Sequence, residues 1–339
     1  MKKLKVGIIG LGHNGRAWIS AYKKSSLADV VAVCDYSGKK VKDAMQEFGV
    51  ISGYQSHKEM LARKDIDAVS IHAPDFLHCQ PFIDSLSAGK HTFVEKPMAN
   101  TIPDLEKMVR AADQAKKKGL RTMVGQILRF NPLAMEIKKT ADEGKLGEIF
   151  YMEADYIHNL KYQGSRDRYN SHLNMNWYLD REIPMVGGGC HPLDMLRWFK
   201  GKEIIEAQGY SNRIGFPDMK NDDCEIALFR FRDGCIAKVT VIYAPVSPMP
   251  YAYNVAVYGR KGTVLGDTVC TDEQKGFQSL GVHWGTDHPY EPEAEHFMRC
   301  IAENKETIIN AREGAKTAAA VITAFRAMKA GRPLKVPRF

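Results

Sequence analysis

Residues 5–15 read Lys5-Val6-Gly7-Ile8-Ile9-Gly10-Leu11-Gly12-His13-Asn14-Gly15, and Arg16-Ala17-Trp18-Ile19-Ser20-Ala21-Tyr22 follows in helical periodicity. The short apolar run is that of a strand buried on both faces of a parallel sheet. G-x-G-x-x-G between a strand and a helix is the context a dinucleotide-binding turn requires. Gly10 permits the tight turn, Gly12 lets the backbone approach a pyrophosphate, and Gly15 allows close helix packing. His13 and Asn14 share that turn, and the first N–H groups of the helix face the phosphates.

Working outward, Val30-Val31-Ala32-Val33-Cys34 is a second strand ending at Asp35, 20 residues after Gly15. A carboxylate there accepts hydrogen bonds from the adenosine ribose hydroxyls and repels a 2′-phosphate, which favours NAD over NADP. Lys39 and Lys40 close behind soften that preference, so NADP stays as the alternative cofactor. The other role open to Asp35 is a helix N-cap. Residues 66–71 are a strand, with Ala73-Pro74-Asp75 opening a loop at its carboxyl end. A helix over about 77–87, a strand at 91–94 running into Glu95-Lys96-Pro97, a helix over 101–118 and a strand at 121–125 continue the alternation. This predicts an α/β fold with a doubly wound parallel sheet, ligands lying at the carboxyl ends of its strands. Ala73, Pro74, Glu95 and Lys96 join the glycine turn at that edge as expected cofactor contacts.

After Gly147 strands follow one another, at about 148–158, 203–211, 223–232, 234–243, 251–259 and 263–265, with Arg232-Asp233-Gly234 as a hairpin turn. The pattern predicts a largely antiparallel sheet with one face covered. Helices are expected over 191–200, 291–303 and 312–330, the last packing back on the first domain. The division is therefore a dinucleotide-binding domain over 1–125 and a substrate-binding and oligomerisation domain over 126–339. Residues 160–190 are too long for a plain connector and read as a functional loop.

The 339 residues are 44% hydrophobic and 26% charged, which excludes extended disorder and coiled-coil rods. The net charge of +8 comes from 48 basic residues interleaved with 40 acidic ones. Without clustering, that balance points to anionic small molecules rather than nucleic acid. Seven scattered cysteines show no CxxC spacing, so neither a disulfide framework nor a structural zinc is expected. His283, His288 and His296 with Glu293 match no standard metal spacing. No apolar run approaches a membrane span, and the basic start meets glycines too soon for a signal peptide. A cytoplasmic location is the expectation.

The glycine turn, Asp35, Glu95-Lys96-Pro97, and His191-Pro192-Leu193-Asp194 followed by Arg197-Trp198 together resemble the Gfo/Idh/MocA oxidoreductases, over nearly the whole chain. The resemblance implies an N-terminal Rossmann domain, then an α+β domain with an open, mostly antiparallel sheet through which members form dimers or tetramers. It implies that Lys96 contacts the reacting hydroxyl and the nicotinamide ribose, that Pro97 fixes that backbone, often through a cis bond, and that His191 is the acid/base. The chemistry asks for both: a cation stabilises an alkoxide-like oxygen, and an imidazole is poised to take the proton at neutral pH. One departure stands out. Members usually carry Asp four residues before the histidine, whereas this chain has Gly187 and the run Gly187-Gly188-Gly189. Either Lys96 and His191 suffice, or another acid such as Asp180 or Asp155 takes part.

Gln126, Arg129, Tyr156, His158, Asn159, Arg166, Arg168, Asn174, Asn176 and Trp177 offer the donors, acceptors and aromatic face that a hydroxyl-rich substrate needs. Gln126, Arg129, Tyr156, His158, Asn176 and Trp177, with Lys96 and His191, are the expected substrate contacts. The leading expectation is an NAD-dependent oxidoreductase acting on a secondary alcohol of a sugar, sugar derivative or inositol. Two alternatives remain: a redox-neutral enzyme with retained NAD, performing elimination or glycoside cleavage, and a non-catalytic NAD or sugar sensor.

Overall fold

The computed structural model describes residues 3–160, 175–245, 251–284 and 288–339, the side chains of 175, 176, 251 and 252 excepted. Arg166, Arg168 and Asn174 lie outside the described residues, as does the side chain of Asn176. The chain divides into two compact units: Met1–Ile127 with Pro289–Ala318 and Phe339, and Leu128–His288 with Ala319–Arg338.

In the first unit β1 (Leu4–Ile9), β2 (Ala28–Cys34), β3 (Gly53–Tyr54), β4 (Ala68–Ile71), β5 (His91–Glu95) and β6 (Thr122–Gly125) form one parallel sheet. Its order, β3-β2-β1-β4-β5-β6, reverses direction between β1 and β4, which opens a ligand crevice at their carboxyl ends. Every residue of β4 is buried, as its continuous apolar reading requires. The helices between strands start where side chains can cap them. Ser37 accepts from Lys40 N at the helix Gly38–Phe48, and Thr101 accepts from Asp104 N at the helix Ile102–Lys117. Gly314, in the first turns of the helix Ala311–Ala330, lets that helix meet β6: a Cβ there would stand 2.4 Å from Val124.

The second unit is built on a mixed, mostly antiparallel sheet. Its strands are β7 (Ile149–His158), β8 (Ile204–Asn212), β9 (Cys224–Phe231), β10 (Ile236–Ile242), β11 (Tyr251–Ala252), β12 (Val255–Gly259), β13 (Gly262–Leu265), β14 (Thr268–Thr271), β15 (Gln278–Ser279) and β16 (Leu334–Lys335). The order is β15-β14-β13-β12-β7-β10-β9-β8-β16, with β11 also on β7. The expected hairpin joins β9 to β10, while β7 and β10 pair in parallel. One face packs under the helices Pro184–Gly187 and Cys190–Lys200, and alternation puts Ala227, Phe229, Val239, Val241, Tyr156 and His158 there. The opposite face carries exposed Ile226, Leu228 and Ile236 among ion-paired Arg230–Glu206 and Lys238–Glu153. Among the described residues no helix is long and apolar enough to cross a membrane.

Candidate active site

The first unit carries a cradle at the carboxyl ends of its strands. Gly10 has φ +90°, and a Cβ there would lie 2.5 Å from the carbonyl carbon of His72. A Cβ on Gly15 would stand 1.9 Å from Gly10 O. Both positions therefore exclude any side chain. Gly12 differs: nothing lies within 4 Å of the place its Cβ would take, so its backbone borders open space. The helix His13–Lys24 begins there with no side-chain cap, which leaves its first N–H groups for a ligand. Asn14 Oδ1 is buried without a partner among the described residues, an acceptor that a bound group would satisfy.

Asp35 is buried, and its carboxylate accepts from Leu11 N at 2.8 Å and Ser37 N at 3.0 Å. It thus ties the glycine turn to the end of β2, and Ser37 rather than Asp35 caps the helix that follows. Each carboxylate oxygen keeps a second acceptor direction, which suits ribose hydroxyls. The cradle fits a dinucleotide on three counts: the open face at Gly12, the uncapped helix start and the acidic group at the end of β2.

The ends of β4 and β5 are locked together by buried polar groups. Glu95 accepts from the Trp18 indole at 2.6 Å and from Lys96 N at 3.1 Å, and His72 Nδ1 lies 3.6 Å from the same carboxylate. Burial alone would raise the Glu95 carboxyl; His72, the Lys96 charge and the Trp18 indole together hold it below its ordinary value. Burial likewise pushes the His72 imidazole down, against the pull of Glu95. His78 is buried, with Nε2 2.7 Å from Ala73 O and Nδ1 3.1 Å from Pro97 O. It clips the Ala73-Pro74 loop to the turn after β5, where the Lys96–Pro97 bond is cis. Gln126, directly after β6, is buried and its Oε1 lacks a partner among the described residues.

In the second unit Tyr156 and His158, at the end of β7, face the helix that carries His191. The Tyr156 and His191 rings stack at 5.6 Å and 20°, and both residues are buried. Tyr243 joins them, 6.0 Å from Tyr156 and 5.5 Å from His158. His191 and His288 rings meet edge-on at 6.1 Å. Trp177 donates its indole N–H to Glu182 at 2.8 Å, and the Tyr243 hydroxyl donates to the other oxygen of Glu182 at 2.7 Å. Glu182 and Tyr243 are the functional candidates that sequence reading passed over. Of the other acids that could stand in for the family's Asp, Asp155 sits on the other face of β7, bonded to Asn254, and Asp180 is exposed.

Arg129 is engaged elsewhere than in a pocket of donors: it grips Asp194 through two bonds of 2.6 and 2.9 Å, both side chains buried, with Trp198 under its guanidinium. The pair is bidentate and holds the start of the second unit to the His191 helix. Among the described residues no group of three or more His, Cys, Asp or Glu is placed to hold a metal ion.

Comparison with known proteins agrees with this geometry. Residues 4–126 match the family model GFO_IDH_MocA, described as "Oxidoreductase family, NAD-binding Rossmann fold", and residues 134–265 match the GFO/IDH/MocA C-terminal domain. An uncharacterized oxidoreductase, YrbE of Bacillus subtilis, is 23% identical over 347 residues, covering 99% of this chain and 97% of that one. A glycosyl hydrolase family 109 protein of Porphyromonas gingivalis is 26% identical over 292 residues, covering 77% of this chain and 60% of its own length. This chain thus spans less than two thirds of that relative. In structure it resembles scyllo-inositol dehydrogenase from Lactobacillus casei, solved with NAD(H) and scyllo-inositol, at TM-score 0.82 and 23% identity over 98% of this chain and 99% of that one. That likeness establishes the shared fold.

Proposed function

The chain belongs to the Gfo/Idh/MocA oxidoreductase family, and from that premise we propose that it moves hydride between NAD and a secondary alcohol of a sugar, sugar derivative or inositol. The observation that carries this reading is the placement of Lys96 directly after β5, on the same sheet edge as the open Gly12 turn and Asp35. Bound NAD supplies the hydride acceptor. The residues that would hold it are Gly10, Gly12, His13, Asn14, Gly15, Asp35, Ala73, Pro74, Glu95 and Lys96. Lys96 then stabilises negative charge on the substrate oxygen. His191 takes the hydroxyl proton in oxidation and returns it in reduction. Gln126, Tyr156, His158, Asn176 and Trp177 supply donors, acceptors and ring faces for a polyhydroxylated ring, and Arg129 supports them through Asp194.

Purified protein with NAD or NADP and a panel of sugars, sugar acids and inositols is expected to produce reduced nicotinamide, seen in the near-ultraviolet, with one substrate class and with NAD preferred. Absence of signal across the panel, with cofactor bound, argues against net dehydrogenation. The similarity to a glycosyl hydrolase family 109 protein favours a second reading in that event: retained NAD and cleavage of a glycoside without net redox change. Release of nitrophenol from nitrophenyl glycosides reads that activity directly.

The exposed Ile226, Leu228 and Ile236 support a further part of the reading, pairing of this sheet face with a second copy into a dimer or tetramer. Light scattering at micromolar concentration is expected to give a multiple of 38.1 kDa, and a monomer mass removes this part.

A further inference from the structure

A carboxylate stands where a side chain at position 187 would be. A Cβ built on Gly187 falls 2.0 Å from Glu182 Oε1, 2.7 Å from its Cδ and 2.9 Å from Oε2. Position 187 lies one turn before His191. A Cβ on the next glycine, Gly188, would be 2.5 Å from the Tyr156 ring and 2.7 Å from the Tyr243 hydroxyl. The two glycines therefore make room for three side chains at once, and those side chains are linked. Tyr243 donates to Glu182, Trp177 donates to Glu182, and Tyr156 stacks on His191. The carboxylate is also fixed from its backbone, because Asn221 donates to Glu182 O at 2.7 Å and Glu182 N to Trp177 O at 2.9 Å.

This arrangement is unfavourable for stability alone. Taking a carboxylate out of water costs several kcal/mol before its hydrogen bonds return part of it. Glycine in place of alanine within a helix, as at Gly187, costs up to about 1 kcal/mol. A small apolar residue at 182 with alanine at 187 would relieve both.

We propose that Glu182 is the working carboxylate of the cluster beside His191, a positioning residue that acts on substrate through Tyr243. With its proton directed at Glu182, the Tyr243 oxygen turns its lone pairs the other way, ready to accept from a substrate hydroxyl. The inference rests on the proposed function for its substrate, a polyol or glycoside, and on the contacts above for its geometry.

The experiment compares Glu182→Gln, Glu182→Ala, Gly187→Ala, and the double variants Glu182→Ala/Gly187→Ala and Glu182→Ala/Gly187→Asp, each checked for folding by urea unfolding. The readouts are NADH formation with the polyol that wild type oxidises, or nitrophenol release if that is the activity found. Glu182→Gln is expected to lower kcat on the order of 100-fold with KM changed little, and to remove one limb of the pH profile. Gly187→Ala reproduces the defect, since its methyl displaces the carboxylate. Returning an acid at 187 in the Glu182→Ala background recovers at least tenfold over the alanine pair, which a purely structural role would not produce. Wild-type kcat and pH profile in Glu182→Gln, or no recovery with the acid at 187, overturns the inference. A wild type silent in both assays sinks the proposed function instead. The unfolding data then decide: Gly187→Ala must destabilise wild type but not the Glu182→Ala background, and an uncoupled pair overturns the inference.

Discussion

Replacing Lys96 with alanine is expected to remove turnover while leaving NAD bound. The main chain at this position is held independently of the lysine side chain: Lys96 N donates to Glu95, and Glu95 is fixed in turn by the Trp18 indole. Truncation therefore removes the ammonium while leaving the main chain in place. Loss of one preorganised charge at a developing oxyanion costs about 10²–10³ in kcat, roughly 3–4 kcal/mol. NAD affinity rests on the glycine turn, the helix start and Asp35, so calorimetric titration should change by less than about tenfold, or 1.4 kcal/mol. Lys96→Arg restores the charge in a planar, bulkier form and should recover only part of the rate. Wild-type kcat in the alanine variant would refute the role; intact chemistry with lost NAD affinity would move Lys96 to the cofactor instead.

The second large effect concerns stability and pH. Glu225, on β9, shares a buried row of the sheet with Val241 and Tyr156, and its Oε1 has no partner among the described residues. Burial pushes its carboxyl from 4.5 up to about 8; the Met185 N–H and Lys329 pull it down, while Asp222 and Glu182 push it further up. The folded protein thus keeps this proton over a range where the unfolded chain has lost it. A folded value raised above the unfolded one means stability fully present below about pH 4.5 and lost as pH rises through about 8. Within that window the group contributes a decline of about 1.4 kcal/mol per pH unit. Glu225→Gln keeps the shape of the neutral acid and an acceptor for Met185 N, so it should flatten the decline. Urea unfolding of both proteins from pH 5 to 9 measures it: the variant should be the more stable of the two at the alkaline end. Parallel stability curves would show that Glu225 is not held neutral.

Legibility in the sequence followed the range of the interactions involved. Gly10, Gly12 and Gly15 could be read because the turn they make is local, and the structure gives each the steric setting its spacing implied. The hairpin at Arg232-Asp233-Gly234 was legible for the same reason. The helix Pro132–Asp142 went unread although its signal was present, Asn131 as cap and Pro132 in the first turn. Strands β14, β15 and β16 are short and part-exposed, so no run of apolar residues marks them. The family's missing acid was legible as an absence at Gly187. Its spatial counterpart was not, because Glu182 lies in a stretch without periodicity and reaches Gly187 only once Trp177 and Tyr243 hold it.

By itself the sequence determined the strand–helix alternation of the first unit, the dinucleotide turn, the acidic end of β2 and the family, since each of these is written in motifs of tens of residues or fewer. Tertiary structure alone decided partnerships. Arg129 follows closely on a strand, and only the fold brings it onto Asp194, 65 residues away. Glu225 lies in an alternating strand, and it is the helix Pro184–Gly187 closing over that sheet face that buries it. A side chain's charge state and partner depend on what surrounds it from distant segments, and no local pattern carries that information.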